Sequence, residues 1–209
     1  MQRIYGIKTM QAEMRMKRRI SKAQYVIIDI LILTAILCVL EWASSKALSA
    51  FPRELYTISV VLPITLIAMM RHGALGVLIA AVGGLIYCRV NGAQWDVYLI
   101  YILGNSLIAL NLLWFKKPGK ERLRQSTGLI VLYAASGYVW MDLGRSVFAF
   151  ILGARPFLPM MVRYFATDTL SAVLSVIIVL IARRQDGVFE DQMRYLRRLA
   201  AEGEQGNEA

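Results

Sequence analysis

The feature that most restricts this chain is the separation of its charge from its apolar residues. Basic residues come in clusters, seven Lys/Arg in 1–24 and five in 116–124, and the stretches between clusters are long and apolar. A water-soluble helix places charge on one face of every turn. Long runs without it mark segments that cross a bilayer. Only 18% of the residues are charged and 57% are apolar, against about 25% charged in an ordinary soluble domain. The fold class expected is therefore all-α, a polytopic integral membrane protein.

Six apolar segments can be marked, at about 25–43, 55–70, 73–89, 95–115, 127–143 and 158–182. A span needs roughly 17–25 residues. The second and third are short, which leaves open a kinked or re-entrant pair, and Pro63 is expected to bend or break the second. With the N-terminus inside, the cytoplasmic segments hold eighteen Lys/Arg. The opposite loops hold four: Lys46, Arg53, Arg89 and Arg155. The positive-inside rule then puts both termini in the cytoplasm, for a multi-pass protein of the cell inner (plasma) membrane. Three parts follow: a basic cytoplasmic segment 1–24, a six-helix transmembrane domain 25–182, and a cytoplasmic part 183–209. In the last, Phe189, Met193, Leu196 and Ala200 recur at helical spacing ahead of a polar tail expected to be disordered. No cleavable leader is expected at the basic start. The net charge of +10 serves topology and attraction to anionic membrane lipids; no nucleic-acid role is needed to explain it.

Several chemistries lack their motifs. There is no G-x-x-x-x-G-K-[ST] loop, no H-E-x-x-H and no Cys/His cluster. Cys38 and Cys88 lie inside apolar runs and read as small hydrophobes, and the one histidine, His72, sits at a turn. No cofactor, no metal and no catalysis by this chain are expected. Gly76, Ala80 and Gly84 have the small-xxx-small spacing that lets membrane helices approach closely, either within the chain or against another subunit.

Ionisable groups at membrane depth cost roughly 2.5–3.5 kcal/mol each on insertion scales, so they face a cavity or a partner. Asp142 and Arg145 stand three residues apart on one helix face. Arg163 and Asp168 fall at similar depth on the last segment, toward the outside. Asn105, Tyr101, Tyr138, Trp140 and Tyr164, with Trp95 and Tyr98, lie at comparable depth. Two readings are open. The charges neutralise one another as Asp142–Arg145 and Arg163–Asp168 under an aromatic belt, or they line an outward-facing pocket for a small polar or aromatic solute. An acid pair for intramembrane proteolysis is disfavoured, because each aspartate has an arginine near it in sequence. Asp29 and Glu41 lie nearer the interfaces and are less telling.

Two stretches resemble a known family: VVLPITLIAMMRHGALGVLIAAVGGLIY (60–87), an apolar helix, a basic-Gly turn and a glycine-spaced helix; and GRSVFAFILGARPFLPMMVRYFATDTLSAVLSVIIVLIARR (144–184), an outer loop and a last helix with an aspartate in its outer half. Together with chain length and helix count they resemble the S component, the substrate-binding membrane subunit of energy-coupling factor (ECF) transporters. The resemblance implies capture of a vitamin-like micronutrient from outside, then association with a transmembrane coupling subunit and cytoplasmic ATPases. It also implies a flat heterocycle stacked on Trp or Tyr, with Asp142, Arg145 and Arg163 reading its polar edge. The alternative is a structural membrane subunit of a cell-envelope or cell-shape complex with no small-molecule ligand.

Overall fold

A computed structural model describes residues 22–49, 56–153, 156–185 and 188–189. Residues 1–21 of the basic N-terminal segment, Arg53 and Arg155, and residues 190–209, which hold Met193, Leu196 and Ala200 of the amphipathic C-terminal stretch, lie outside the described residues. Within them every regular element is helical. In chain order these are α1 (Lys22–Ser49), α2 (Val61–His72), a 3-10 turn (Gly73–Gly76), α3 (Val77–Val90) and α4 (Trp95–Ser106). A second 3-10 stretch (Leu107–Leu112) then leads to α5 (Leu113–Lys116), α6 (Lys120–Gln125), α7 (Thr127–Ile151), α8 (Phe157–Thr167) and α9 (Thr169–Arg184).

By length and composition, three stretches can cross a membrane: residues 24–47, 61–90 and 95–125. There are four if α8 and α9, bent by 50°, count as one span. Their outward faces are apolar, as lipid requires: Leu31 is 61% exposed and Val39 64%. The buried stripe of α1 carries Asp29, Leu37 and Glu41. Multiples of four residues put these three on one face.

The 61–90 stretch is a hairpin and not one straight rod. Seven residues of straight helix separate two residues by about 10 Å, yet a Cβ on Gly76 would stand 2.6 Å from the backbone carbons of Ala68 and Met69. One on Gly83 would stand 2.5 Å from Val61 Cγ1. The reversal falls at Gly73, whose φ of 64° and ψ of −128° suit a residue without Cβ. On the far side of α3, Gly84 lies against the Tyr101 backbone of α4, where a Cβ would stand 2.7 Å from its carbonyl oxygen. The Gly76–Ala80–Gly84 stripe is thus used for packing inside this chain.

Pro63 neither breaks nor bends its helix, contrary to the sequence expectation. It is the third residue of α2, where a backbone N–H has no intrahelical acceptor to lose. The interruption comes before it, as the non-helical segment 56–60. The start of α2 is capped from another helix: Glu41 of α1 accepts from Val60 N at 2.6 Å and from Ser59 Oγ at 2.7 Å. A carboxylate at a helix N-terminus is favoured both by the orphan N–H groups and by the helix dipole.

Side-chain contacts set which ends lie level. At one end Asp29 pairs with Arg71 at 3.0 Å and His72 at 2.5 Å. At the same end Lys120 Nζ donates to Met70 O at 2.8 Å, and Arg183 donates to Thr127 Oγ1 at 2.6 Å. At the opposite end Ser45 donates to Asn91 at 3.2 Å. Helices α1, α3 and α7 therefore run away from the first, basic end, and α2, α4–α5 and α9 run towards it. Where α7 packs on α2 and on the second 3-10 stretch, the core is polar as well as apolar. The fully buried Tyr133 donates to Leu66 O at 3.3 Å, and Asn111 donates to Tyr133 O at 2.8 Å.

Candidate functional site

The centre of the site is Arg145, on α7 and 5% exposed. Its Nη1 donates to Asp142 Oδ1 at 3.1 Å, one turn earlier on the same helix. The same nitrogen donates to Asp168 Oδ2 at the α8–α9 break. Its Nε donates to Asn105 Oδ1 of α4 at 2.7 Å. The guanidinium lies 4.6 Å from the centre of the Tyr101 ring, a cation–π distance. Tyr101 in turn stacks on Tyr87 of α3, with ring centres 4.8 Å apart, and meets Tyr164 of α8 edge-on at 6.2 Å. Glycines allow this convergence. A Cβ on Gly104 would stand 2.6 Å from Arg145 N, and one on Gly144 would strike the Gly104 carbonyl, so α4 and α7 touch backbone to backbone where Arg145 leaves its helix.

The acids are held from two further elements. Asp168 Oδ1 accepts from Thr57 and, at 3.2 Å, from Thr167. Thr57 belongs to the non-helical segment 56–60, which is stitched to the α8–α9 break: Thr57 N donates to Thr167 O at 2.9 Å, Ser171 Oγ to Thr57 O at 2.8 Å, and Ser59 N to Ser171 Oγ at 3.0 Å. Two interruptions of helix thus meet beside Arg145, and each supplies the other's missing backbone partners. Tyr138 Oη donates to Phe165 O at 2.6 Å. Among the described residues, Asp142 Oδ2 is buried and has no hydrogen-bond partner.

Of the expected site residues, Asp142, Arg145, Asp168, Asn105, Tyr101 and Tyr164 are brought together, with Tyr138 bordering the group. Arg163 is a correction. Its side chain is exposed, and the partner of Asp168 is Arg145 from the next helix. Five residues turn a helix through about 500°, which puts Arg163 some 140° from Asp168 even before the bend. Trp140 is half-buried, two residues and about 200° round α7 from Asp142, so it does not face the cluster. Glu41, which the sequence places nearer the interface, is 2% exposed and tied to the site through Ser59. Thr57, Ser59, Ser171 and Tyr87 carried no sequence signal beyond residue type.

The space left is small. One cavity, bounded by Thr57, Tyr87, Tyr101, Asn105, Arg145 and Asp168, holds about 10 Å³ open to the centre of a water molecule. A second, bounded by Ser59, Tyr138, Asp142, Arg145, Asp168 and Ser171, holds about 20 Å³. Each accommodates one water-sized group. The Arg145–Asp168 pair, common to both linings, stands between them. Neither cavity, as it stands, holds anything of metabolite size.

No protein-family model matches the sequence, and no curated protein or solved structure is similar to it.

Proposed function

We propose that this chain is the solute-capturing membrane subunit of an ATP-driven uptake system for a vitamin-like small molecule. It crosses the plasma membrane six times with both termini in the cytoplasm. The observation that carries this reading is the meeting of two helix interruptions, 56–60 and 167–169, at a buried arginine lined by tyrosines. Irregular backbone at membrane depth is tolerated where it is buried or lines a cavity, and transporters place substrate sites at such breaks. Arg145 lies six residues, about 9 Å, from the end of α7 and eighteen residues, about 27 Å, from its start. With the basic end inside, the site is nearer the outside. The chain binds and does not catalyse; a transmembrane coupling subunit and cytoplasmic ATPases supply the work.

The second reading, a structural subunit of an envelope complex, is favoured by one observation: Arg145 has partners for its charge within the chain. Thermal unfolding of the purified protein against vitamins, their precursors and nucleobases separates the two. A capture subunit gains stability by mass action, with a midpoint shift of several degrees for one compound class. Folded protein that no compound stabilises would defeat the capture reading and leave the scaffold.

A further inference from the structure

Among the described residues the cluster holds more acid than base. Three buried carboxylates, Glu41, Asp142 and Asp168 at 2%, 1% and 9% exposure, stand around one guanidinium, Arg145. Their commitments differ. Glu41 is engaged at the N-terminus of α2. Asp168 has both oxygens occupied, by Arg145 on one side and by Thr57 and Thr167 on the other. The excess falls on Asp142. Its Oδ1 shares the Arg145 nitrogen already given to Asp168, and its Oδ2 is buried without any partner among the described residues. Tyr138, on the same helix face, lies close enough to interact with Asp142, but its hydroxyl hydrogen goes to Phe165 O at 2.6 Å. Beside Asp142 lies the 20 Å³ cavity, closed by Tyr138, Ser59 and Ser171. An unpartnered carboxylate oxygen at membrane depth is costly. Asp142 lines a space that takes one water-sized group, together with an aromatic ring and two serine oxygens, which are groups that receive cations.

We propose that the captured solute is cationic, and that its positive group, a primary ammonium, sits on Asp142 beside Tyr138. The inference rests on the capture reading and adds the charge of the substrate to it. Entry of the cation supplies the charge that Arg145 alone does not, and the rest of the solute lies towards Tyr101 and Tyr87 once Arg145 and Asp168 part.

The test uses the full chain in detergent and compounds of matched skeleton and different charge: benzylamine with benzyl alcohol and benzoate; pyridoxamine with pyridoxine and 4-pyridoxate. At least one cationic member should raise the unfolding midpoint by several degrees over its neutral and anionic partners. Asp142→Asn should remove that response. Without any compound, Asp142→Asn should raise the midpoint by a few degrees, because it removes an uncompensated carboxylate. A response confined to neutral or anionic members would overturn the charge assignment and leave capture standing. A fall in the unliganded midpoint of Asp142→Asn would also overturn it, by making Asp142 a structural counter-ion of Arg145. No response to any compound of any charge would overturn the capture reading and this inference together.

Discussion

The contact between α4 and α7 can be tested by adding a single methyl group. In Gly104→Ala the new Cβ would stand 2.6 Å from Arg145 N and 2.7 Å from Arg145 Cα, where ordinary contact begins at 3.4 Å. Both atoms are backbone, so no side chain can turn aside, and the helices must part by the difference, about 0.8 Å. The Arg145–Asn105 hydrogen bond, 2.7 Å now, would stretch to about 3.5 Å, beyond useful range. Overpacking of this kind costs about 1–3 kcal/mol, and loss of a hydrogen bond to a charged group about 1.5–3 kcal/mol. The two losses share one displacement and do not add fully, so a total of about 3 kcal/mol is expected. Gly128→Ala is the control. Gly128 lies in the first turn of α7 with nothing within 4 Å, and alanine there should be neutral or stabilising by up to about 1 kcal/mol. Unfolding in mixed micelles with increasing SDS reads both. If Gly104→Ala proves as harmless as Gly128→Ala, α4 and α7 do not meet backbone to backbone, and the Arg145 geometry described above is wrong.

Arg145→Gln leaves Asp142 and Asp168 buried against each other and should cost about 3–5 kcal/mol. Adding Asp168→Asn should recover part of that loss, and strictly additive effects would refute the pairing. Asp29→Asn takes the acceptor from Arg71 and His72 at the basic end. It should lower stability by about 1–3 kcal/mol without changing any solute response, since Asp29 is remote from Arg145; an altered response would refute that separation. For topology, Cys38 and Cys88 are replaced by alanine and single cysteines placed at Ala93 and Lys117. A membrane-impermeant maleimide applied to intact cells should label Ala93→Cys and spare Lys117→Cys, and labelling of both from outside would refute the six-crossing arrangement.

The fold was legible where a physical constraint acts over many residues. Each of the six apolar runs holds helix, because a segment in lipid must satisfy its own backbone. The detail that failed, Pro63, failed on position: a proline three residues inside a helix is harmless, and one in the middle is not. Apolar composition hides where a helix begins. The short second and third segments proved to be the arms of a hairpin closed at Gly73, and the signal was present in His72-Gly73 followed by small residues at four-residue spacing, Gly76, Ala80 and Gly84. Residues 56–60 had no such signal, since a non-periodic strap of mixed residues reads as loop wherever it runs.

The candidate site was legible in depth and not in direction. Counting residues from the segment ends placed Asp142, Arg145, Asn105 and Asp168 in one layer, and they do meet. Depth alone also admitted Arg163 and Trp140, which share the layer and face away from the cluster. A helical wheel separates the two sets: Tyr138, Asp142 and Arg145 advance by four and then three, as do Tyr164 and Asp168 by four, whereas Arg163 and Trp140 fall out of phase. The same wheel recovers Glu41, eight residues and then four along the stripe from Asp29 through Leu37, a face that must be buried if both its acids are to be solvated by protein. In a bilayer an acid on the lipid face has no favourable partner. The periodicity of the rare charges in such a chain therefore tells more about its interior than the periodicity of its many apolar residues, which suit lipid and protein equally.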